Sequence, residues 1–233
     1  MILGTICCRG GSKGVPGKNI KQLHNHPLLY YTIISAKGSR LLNDFIISTD
    51  SEEIAHIGSN EGVSIPFMRP AQLAMDNSSK WDVFRHAVEN YEKITGEQIT
   101  YLVDMDVTVP LKKSEDIDGA IQLALDNPDA DVVITGYEPE RNPYFNMMEV
   151  RKDGFAEIVK KPLIPVTRRQ DAPLVYSLTP AAYVVKKEAL YKYEHWSKAP
   201  CKIYPMPRKR AVDIDTEFDF VLVEFLMQNN DTK

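Results

Sequence analysis

Apolar runs of strand length alternate with segments of helical periodicity through the first half of this 233-residue chain. That alternation commits it to an α/β fold, a mostly parallel sheet covered by helices on both faces. A first run at 2–8 is followed by candidate strands at 45–48, 64–67, 100–103 and 131–135. Between them, Leu28, Leu29, Thr32, Ile33 and Ala36 recur at helical spacing behind Pro27, which suits the first helical position. Val83, Phe84, Ala87, Val88 and Tyr91 repeat the spacing. Ser114 reads as the cap of a third helix, with Glu115 and Asp116 in its first turn. That helix turns Ile117, Ala120, Ile121, Ala124 and Leu125 to the sheet and ends at Asn127-Pro128. The pattern breaks over 138–176, where prolines stand at 139, 143, 162, 165 and 173 and Asp153-Gly154 marks a turn. This reads as an inserted β-rich arm within a single domain spanning 1–233, and its strand edges suit subunit pairing, hence a homodimer. The chain returns through 181–185 and 202–204 to a strand at 212–215 and a closing helix from Thr216 to about Met227.

The loop after the first run, Arg9-Gly-Gly-Ser-Lys-Gly-Val-Pro-Gly-Lys-Asn19, gathers four glycines and three cations. Glycines let backbone N–H groups approach phosphate oxygens, and Arg9, Lys13 and Lys18 add charge-assisted hydrogen bonds. Three cations so close repel one another unless an anion sits among them. Two common glycine-loop patterns fail. A P-loop requires glycine at the position of Ser12 and Ser or Thr at that of Asn19. The dinucleotide pattern requires glycine where Ser12 follows Gly10 and Gly11.

The formal net charge of −4 disfavours nucleic acid or a membrane surface as partner, so the expected anion site is local. Cys7, Cys8 and Cys201 are odd in number, which argues against a disulfide framework. The first residues lack a cationic leader or a long apolar stretch, so a soluble cytoplasmic protein is expected.

Far along the chain, Val212-Asp213-Ile214-Asp215-Thr216-Glu217 sets two carboxylates two positions apart, on one side of a strand. Such a pair suits Mg²⁺ carrying phosphates; alternatively, Asp215 caps the last helix and Asp213 is solvated. Ser48-Thr49-Asp50 closes the second strand, where open α/β sheets gather ligands, although Asp50 or Ser51 also suits a helix cap. The long polar connection from Arg69 through Asp76, Asn77, Ser78, Ser79 and Lys80 suits substrate contact. Arg168 and Arg169 form a cationic pair in the arm.

Taken in order, the loop 9–19, Ser48-Thr49-Asp50, Arg69-Pro-Ala-Gln-Leu-Ala74 and Asp213-Ile-Asp-Thr-Glu217 resemble the motifs of the acylneuraminate cytidylyltransferases, or CMP-sialic acid synthetases, over nearly the whole chain. The resemblance implies a Rossmann-like nucleotidyltransferase that joins CTP to a 2-keto nonulosonic acid and releases pyrophosphate. By position, Arg9, Lys18 and Asp215 are the implied catalytic residues. Arg9, Gly10, Gly11, Ser12, Lys13, Lys18, Asn19, Arg69, Ser79 and Lys80 hold the nucleotide, and Asp213 and Asp215 hold Mg²⁺. The sugar side falls to Asp106, Thr108, Asn142, Tyr144, Arg169, Gln170, Ser177 and Thr179, with an arm that pairs subunits and can complete the neighbour's sugar site.

Departures from the family pattern concentrate on that side. Cys7-Cys8 replace a common Pro-Ala, and Asp106-Val-Thr-Val-Pro-Leu-Lys112 stands where many members have Gln-Pro-Thr-Ser-Pro-Leu-Arg. Ser177 and Thr179 stand where sialic-acid members place Arg and Asn, and Asn142-Pro-Tyr-Phe-Asn146 makes that wall more aromatic. These changes point to a sialic-acid relative such as legionaminic or pseudaminic acid. The alternatives are a transferase for Kdo, another acid sugar or a sugar phosphate, and a nucleotide-binding homologue without turnover.

Overall fold

The structure, a computed structural model, describes residues 1–11 and 15–230. Ten strands are present among them: β1 (Ile2–Cys7), β2 (Gln22–Leu23), β3 (His26–Pro27), β4 (Asp44–Ser48), β5 (Tyr101–Asp104), β6 (Val132–Tyr137), β7 (Met148–Val150), β8 (Ala156–Ile158), β9 (Ser177–Lys186) and β10 (Cys201–Pro205). The helices are α1 (Leu28–Lys37), α2 (Glu52–Asn60), α3 (Lys80–Thr95), α4 (Ser114–Asp126), α5 (Lys187–Lys192) and α6 (Glu217–Asn230). Six strands form the main sheet in the order β10-β6-β9-β5-β1-β4. All its neighbours pair parallel except β9, which runs antiparallel between β5 and β6.

Adjacent apolar residues on the strands point to opposite faces, so each strand feeds two cores. Ile6, Ile47, Val103, Val133 and Val184 meet α1, α2, α4 and α6, through side chains such as Leu29, Ile33, Ile54, Ile117, Ile121 and Phe220. Leu3, Ile46, Leu102, Val132 and Val185 meet α3 and α5 through Trp81, Phe84, Val88 and Leu190. Burying Trp81 and Phe84 stabilises α3 by roughly 2–3 kcal/mol each. A half-exposed ion pair contributes about 1 kcal/mol or less. The apolar face therefore seats the helix, and Lys80 at its first turn is carried into place by it.

Several expected elements shift. The segment 64–67 makes only an isolated bridge from Ser64 to Ile46, since Pro66 has no N–H to extend a ladder. The segment 212–215 is no strand: the sheet's last strand is β10, and Ile214 instead donates its N–H to Thr108 O at 2.8 Å. Pro27 lies one position before α1, and Lys113 takes the cap position of α4, with Asp116 accepting its N–H at 2.9 Å. Ser51 does cap α2, accepting from Ile54 N at 3.4 Å. In the region 138–176, β7 and β8 form a hairpin across the expected turn, where Gly154 has φ of 86°.

β1 is paired on both edges, and at Gly4 the partner strand comes close: a Cβ there would lie 2.7 Å from the Cβ of Phe45. Phe45 Cβ is fixed to its backbone, so relief requires the strands to part. Gly4→Ala is expected to destabilise the fold by about 1–3 kcal/mol, read as a lowered chemical-denaturation midpoint. An unchanged midpoint would remove the close-approach argument.

Candidate active site

The carboxyl ends of β1, β4 and β5 open into one cleft of about 270 Å³, lined by Cys7, Cys8, Arg9, Gly11, Lys18, Asn19, Arg69, Leu73, Met75, Asp76, Ser78, Lys80, Val83, Asp106 and Thr108. Parallel strands present all their carboxyl ends at one edge, which is why segments far apart in sequence meet there. Arg9 forms an ion pair with Asp76 at 2.8 Å and donates to Ala74 O at 3.2 Å. Asn19 shapes the loop by donating to Arg9 O at 2.9 Å. Gly10 gives its N–H to Asp50 Oδ1 at 3.0 Å, so that donor is committed to the scaffold. Gly11 lines the cleft with open space where a Cβ would stand. Ser12 and Lys13 lie outside the described residues.

The Ser48-Thr49-Asp50 segment supports the cleft from below. Arg69, buried at 6% exposure, donates to Ser48 Oγ at 3.2 Å and to Ser48 O, while its own N–H reaches Thr49 O at 2.7 Å. Lys80 Nζ sits between two carboxylates, 3.0 Å from the fully buried Asp104 and 3.2 Å from Asp106, and 4.8 Å from the Tyr183 ring centroid. Desolvation pulls the Lys80 pKa down, but Asp104 and Asp106 outweigh it and raise it. For Asp106, desolvation acts upward, and the Lys80 ammonium and Thr108 N–H hold the carboxyl below its usual range.

The acidic pair approaches from the other end of the chain. Lys18 Nζ donates to Ile214 O at 2.5 Å and lies 3.5 Å from Asp215 Oδ1, a contact spanning 196 positions to Ile214. Thr216 caps α6 with Asp219, whose Oδ2 accepts from Thr216 N at 2.8 Å and Thr216 Oγ1 at 2.7 Å. Asp215 is thus not the cap, and its side chain is 75% exposed. Asp213 is sequestered: burial first, then the nearby Asp215 and Asp106 charges, push its pKa up to about 6, with a hydrogen bond from Thr108 opposing. Its Oδ1 is buried without a hydrogen-bond partner among the described residues. A hard divalent cation would satisfy that oxygen and relieve the repulsion, so the donor set fits one. No cluster of three or more His, Cys, Asp or Glu side chains stands ready to hold a metal among the described residues. Phosphate oxygens would therefore have to complete the coordination.

The expected sugar-side residues separate. Asp106 and Thr108 line the cleft, whereas Asn142, Arg169 and Gln170 line a second cavity of about 270 Å³ in the arm with Glu138, Pro139 and Leu174. Arg169 donates to Pro139 O at 3.2 Å and Asn142 to Pro173 O at 2.9 Å. Tyr144 lines neither cavity, and its N–H reaches Asn142 Oδ1 at 2.9 Å. Ser177 stands in the β6–β9 ladder opposite Tyr137. Thr179 must be corrected: it is fully buried and donates to Ala211 O at 3.1 Å, leaving no surface for a substrate. Ser79 caps α3, its hydroxyl accepting from Trp81 N at 3.2 Å, and Ser78 lines the cleft beside it. Leu73, Met75 and Asp76 fall within the 69–80 connection expected to contact substrate, whereas sequence reasoning missed Asp104. Asp104 had one signal, the strand-end triplet Asp104-Met105-Asp106.

An α/β sheet with a cationic cleft at its strand ends, faced by a carboxylate pair of which Asp213 is sequestered and Asp215 exposed, has the layout of a nucleotide-handling transferase. Comparison with known proteins narrows it: the cytidylyltransferase family model matches residues 3–230. The chain belongs to the cytidylyltransferase family. It is 39% identical over 97% of its length, and 95% of the relative's, to post-translational flagellin modification protein B of Campylobacter coli. It is 37% identical to CMP-N,N'-diacetyllegionaminic acid synthase of Campylobacter jejuni, over 97% of this chain and 94% of that one. A solved CMP:2-keto-3-deoxy-manno-octonic acid synthetase complexed with CTP superposes with a TM-score of 0.71, covering 98% of this chain and 99% of the other, at 14% identity. At that identity the likeness speaks for the fold. No helix among the described residues is long and apolar enough to cross a membrane.

The raised pKa of Asp213 carries a stability consequence. Between the unfolded value of 3.8 and about 6 the native state binds more protons than the unfolded chain, so this group's contribution falls as pH rises through that window. In metal-free protein, Asp213→Asn is expected to raise stability at pH 7.5 by on the order of 1–2 kcal/mol, after allowing for partial exposure. The gain should shrink towards zero near the acid end of the window. Melting curves at several pH values read this, and an equal effect at every pH would refute it.

Proposed function

We propose that the chain transfers a cytidylyl group from CTP to the anomeric hydroxyl of a 2-keto nonulosonic acid, releasing pyrophosphate. The observation that carries this reading is the convergence of Lys18 on the Ile214 carbonyl and the Asp215 carboxylate, which joins the cationic loop of the cleft to the acidic pair beside it. Family membership supports the donor, and the relative named for diacetyllegionaminic acid supports an acceptor of that type.

In this reading Arg9 and Lys18 bind the CTP phosphates, with Gly11, Ser12, Lys13, Asn19, Arg69 and Lys80 contributing around them. An arriving phosphate would replace Asp76 on Arg9. Asp213 and Asp215 would hold Mg²⁺, which when bound supplies charge neutralisation at the phosphates and favours their reaction. Asp106, held by Lys80 and Thr108, faces the acceptor side. The hydroxyl attacks the α-phosphorus and gives up its proton to water or a carboxylate at the cleft, the α–β phosphoanhydride bond breaks and pyrophosphate leaves. Protein groups mainly position and neutralise.

The arm enters as a proposed pairing surface for a second copy. Leu163 and Ile164 are 104% and 83% exposed, and Met148, Val150 and Phe155 on the hairpin are exposed with them. Apolar exposure on that scale is unfavourable for an isolated chain. A neighbour's arm bringing Arg169 and Gln170 to the acceptor would explain why those residues stand apart from the cleft here. The CTP donor implies a cytoplasmic reaction.

Pyrophosphate release from CTP should appear with at least one of a panel of nonulosonic acids and not with Kdo, and should depend on Mg²⁺. Release with none of them would overturn the reading. Lys18→Ala is expected to weaken CTP binding by about 10- to 100-fold, the loss of a charge-assisted hydrogen bond of roughly 1.5–3 kcal/mol. Asp215→Asn is expected to abolish metal-dependent turnover, and near-normal turnover in it would remove the metal assignment.

A further inference from the structure

The residue least explained by the site is Lys112, a lysine only 3% exposed in the turn that follows Asp106. Among the described residues it makes no hydrogen bond to the nucleotide loop. Its ammonium donates to Thr32 Oγ1 at 2.7 Å, to Asp106 O at 2.6 Å and to Val109 O at 2.9 Å. An ammonium carries three N–H bonds, and each has an acceptor. Thr32, on α1, adds its own hydroxyl to Asp106 O at 3.3 Å, and Ser35 of the same helix reaches Lys112 O at 2.9 Å. Two backbone carbonyls of one turn are thereby tied to a helix of the main core.

What that turn carries explains the investment. The Asp106 side chain meets Lys80 and accepts from Thr108 N and Thr108 Oγ1, both at 3.2 Å. Thr108 O accepts the N–H of Ile214 at 2.8 Å, which ties the turn to the segment carrying Asp213 and Asp215. Acceptor-side residues and the acidic segment therefore hang on one short stretch of backbone. A buried lysine is costly to desolvate, and burial pulls this one's pKa down to about 7, with Asp106 and Asp104 only partly offsetting it. A leucine or methionine would fill the same space at lower cost, but neither could hold three acceptors.

We infer that Lys112 is a positioning residue for the acceptor half of the reaction, clamping the 106–109 turn so that Asp106 and Thr108 keep their places against the acceptor and the acidic segment. This rests on the cytidylyl-transfer reading. The nucleotide loop has anchors of its own in the Asp50 and Asp76 contacts, and it joins the clamped turn only through Lys18 and the Ile214 backbone. Losing the clamp thus harms acceptor use more than CTP binding.

The test uses the full chain as Lys112→Met, Lys112→Arg and Thr32→Val. Melting curves confirm folding, calorimetry gives the CTP Kd, and pyrophosphate release gives kcat and KM for the best acid of the panel. For Lys112→Met, kcat/KM for the acid is expected to fall about 10- to 100-fold, the scale of a displacement near 1 Å. The CTP Kd should stay within about 3-fold, and Lys112→Arg, which keeps charge and donors, should recover part of the loss. Thr32→Val, which removes one acceptor and one donor, should show the same split at about 3- to 10-fold and serves if Lys112→Met fails to fold. Unchanged acceptor use, or an equal loss in CTP affinity, would overturn the inference. If wild-type protein releases pyrophosphate with no acid, the proposed function fails instead. The clamp is then read by amide exchange: Thr108 N–H should exchange at least 10-fold faster in Lys112→Met or Thr32→Val while residues 15–21 do not change, and uniform exchange would refute it.

Discussion

Parallel pairing of β1 with β4 on one edge and β5 on the other is the constraint on which the remaining architecture rests. It aligns the ends of three strands, so the loops following Cys7, Ser48 and Asp104 leave the sheet side by side. Gly4 permits the close approach that the pairing needs. The apolar pairs on each strand then recruit helices to both faces, which leaves the strand ends as the open edge where polar chemistry collects.

Electrostatics in that edge are arranged around pairing. Arg9 meets Asp76, Lys80 meets Asp104 and Asp106, and Lys18 meets Asp215 and a carbonyl. These partners differ in mobility. Asp104 is fully buried and fixed, whereas the side chains of Asp76 and Asp215 are 48% and 75% exposed. A bound polyanion can displace an exposed carboxylate at little cost but not a buried one, because the buried group has no solvent to return to. The cleft therefore combines a rigid wall at Lys80, Asp104 and Asp106 with a side at Arg9 and Lys18 whose cations can change partner.

The arm follows a different logic. Its hairpin makes few demands on the main core, and its large apolar side chains are exposed. Its internal cavity is closed by hydrogen bonds such as Arg169 to Pro139 O. Side chains placed there stand apart from the cleft, which is why the acceptor residues expected together divide between two cavities.

Much of the fold was legible in the chain because periodicity reflects burial. Strand runs at the starts of β1, β4, β5 and β6 and the stripes of α1, α3 and α4 fell where expected, since two-sided burial requires those patterns. The cation loop and the acidic pair were legible because like charges in close sequence need a counter-ion wherever they fold. Three things were not. The 64–67 and 212–215 segments have strand composition, yet pairing depends on a neighbour with free N–H and C=O groups, which Pro66 and the sheet order deny them. Thr179 has the chemistry of a ligand residue, but burial and the bond to Ala211 O claim its hydroxyl. Lys112 reads as a surface lysine until tertiary packing surrounds it with three acceptors. The sequence by itself determined the α/β class, the phosphate-type loop and the carboxylates that oppose it, because those follow from local pattern and charge. Only the tertiary structure decided which hydroxyls are buried, which cations are already paired and how the 106–109 turn is held, because hydrogen bonds and desolvation depend on neighbours that are distant along the chain.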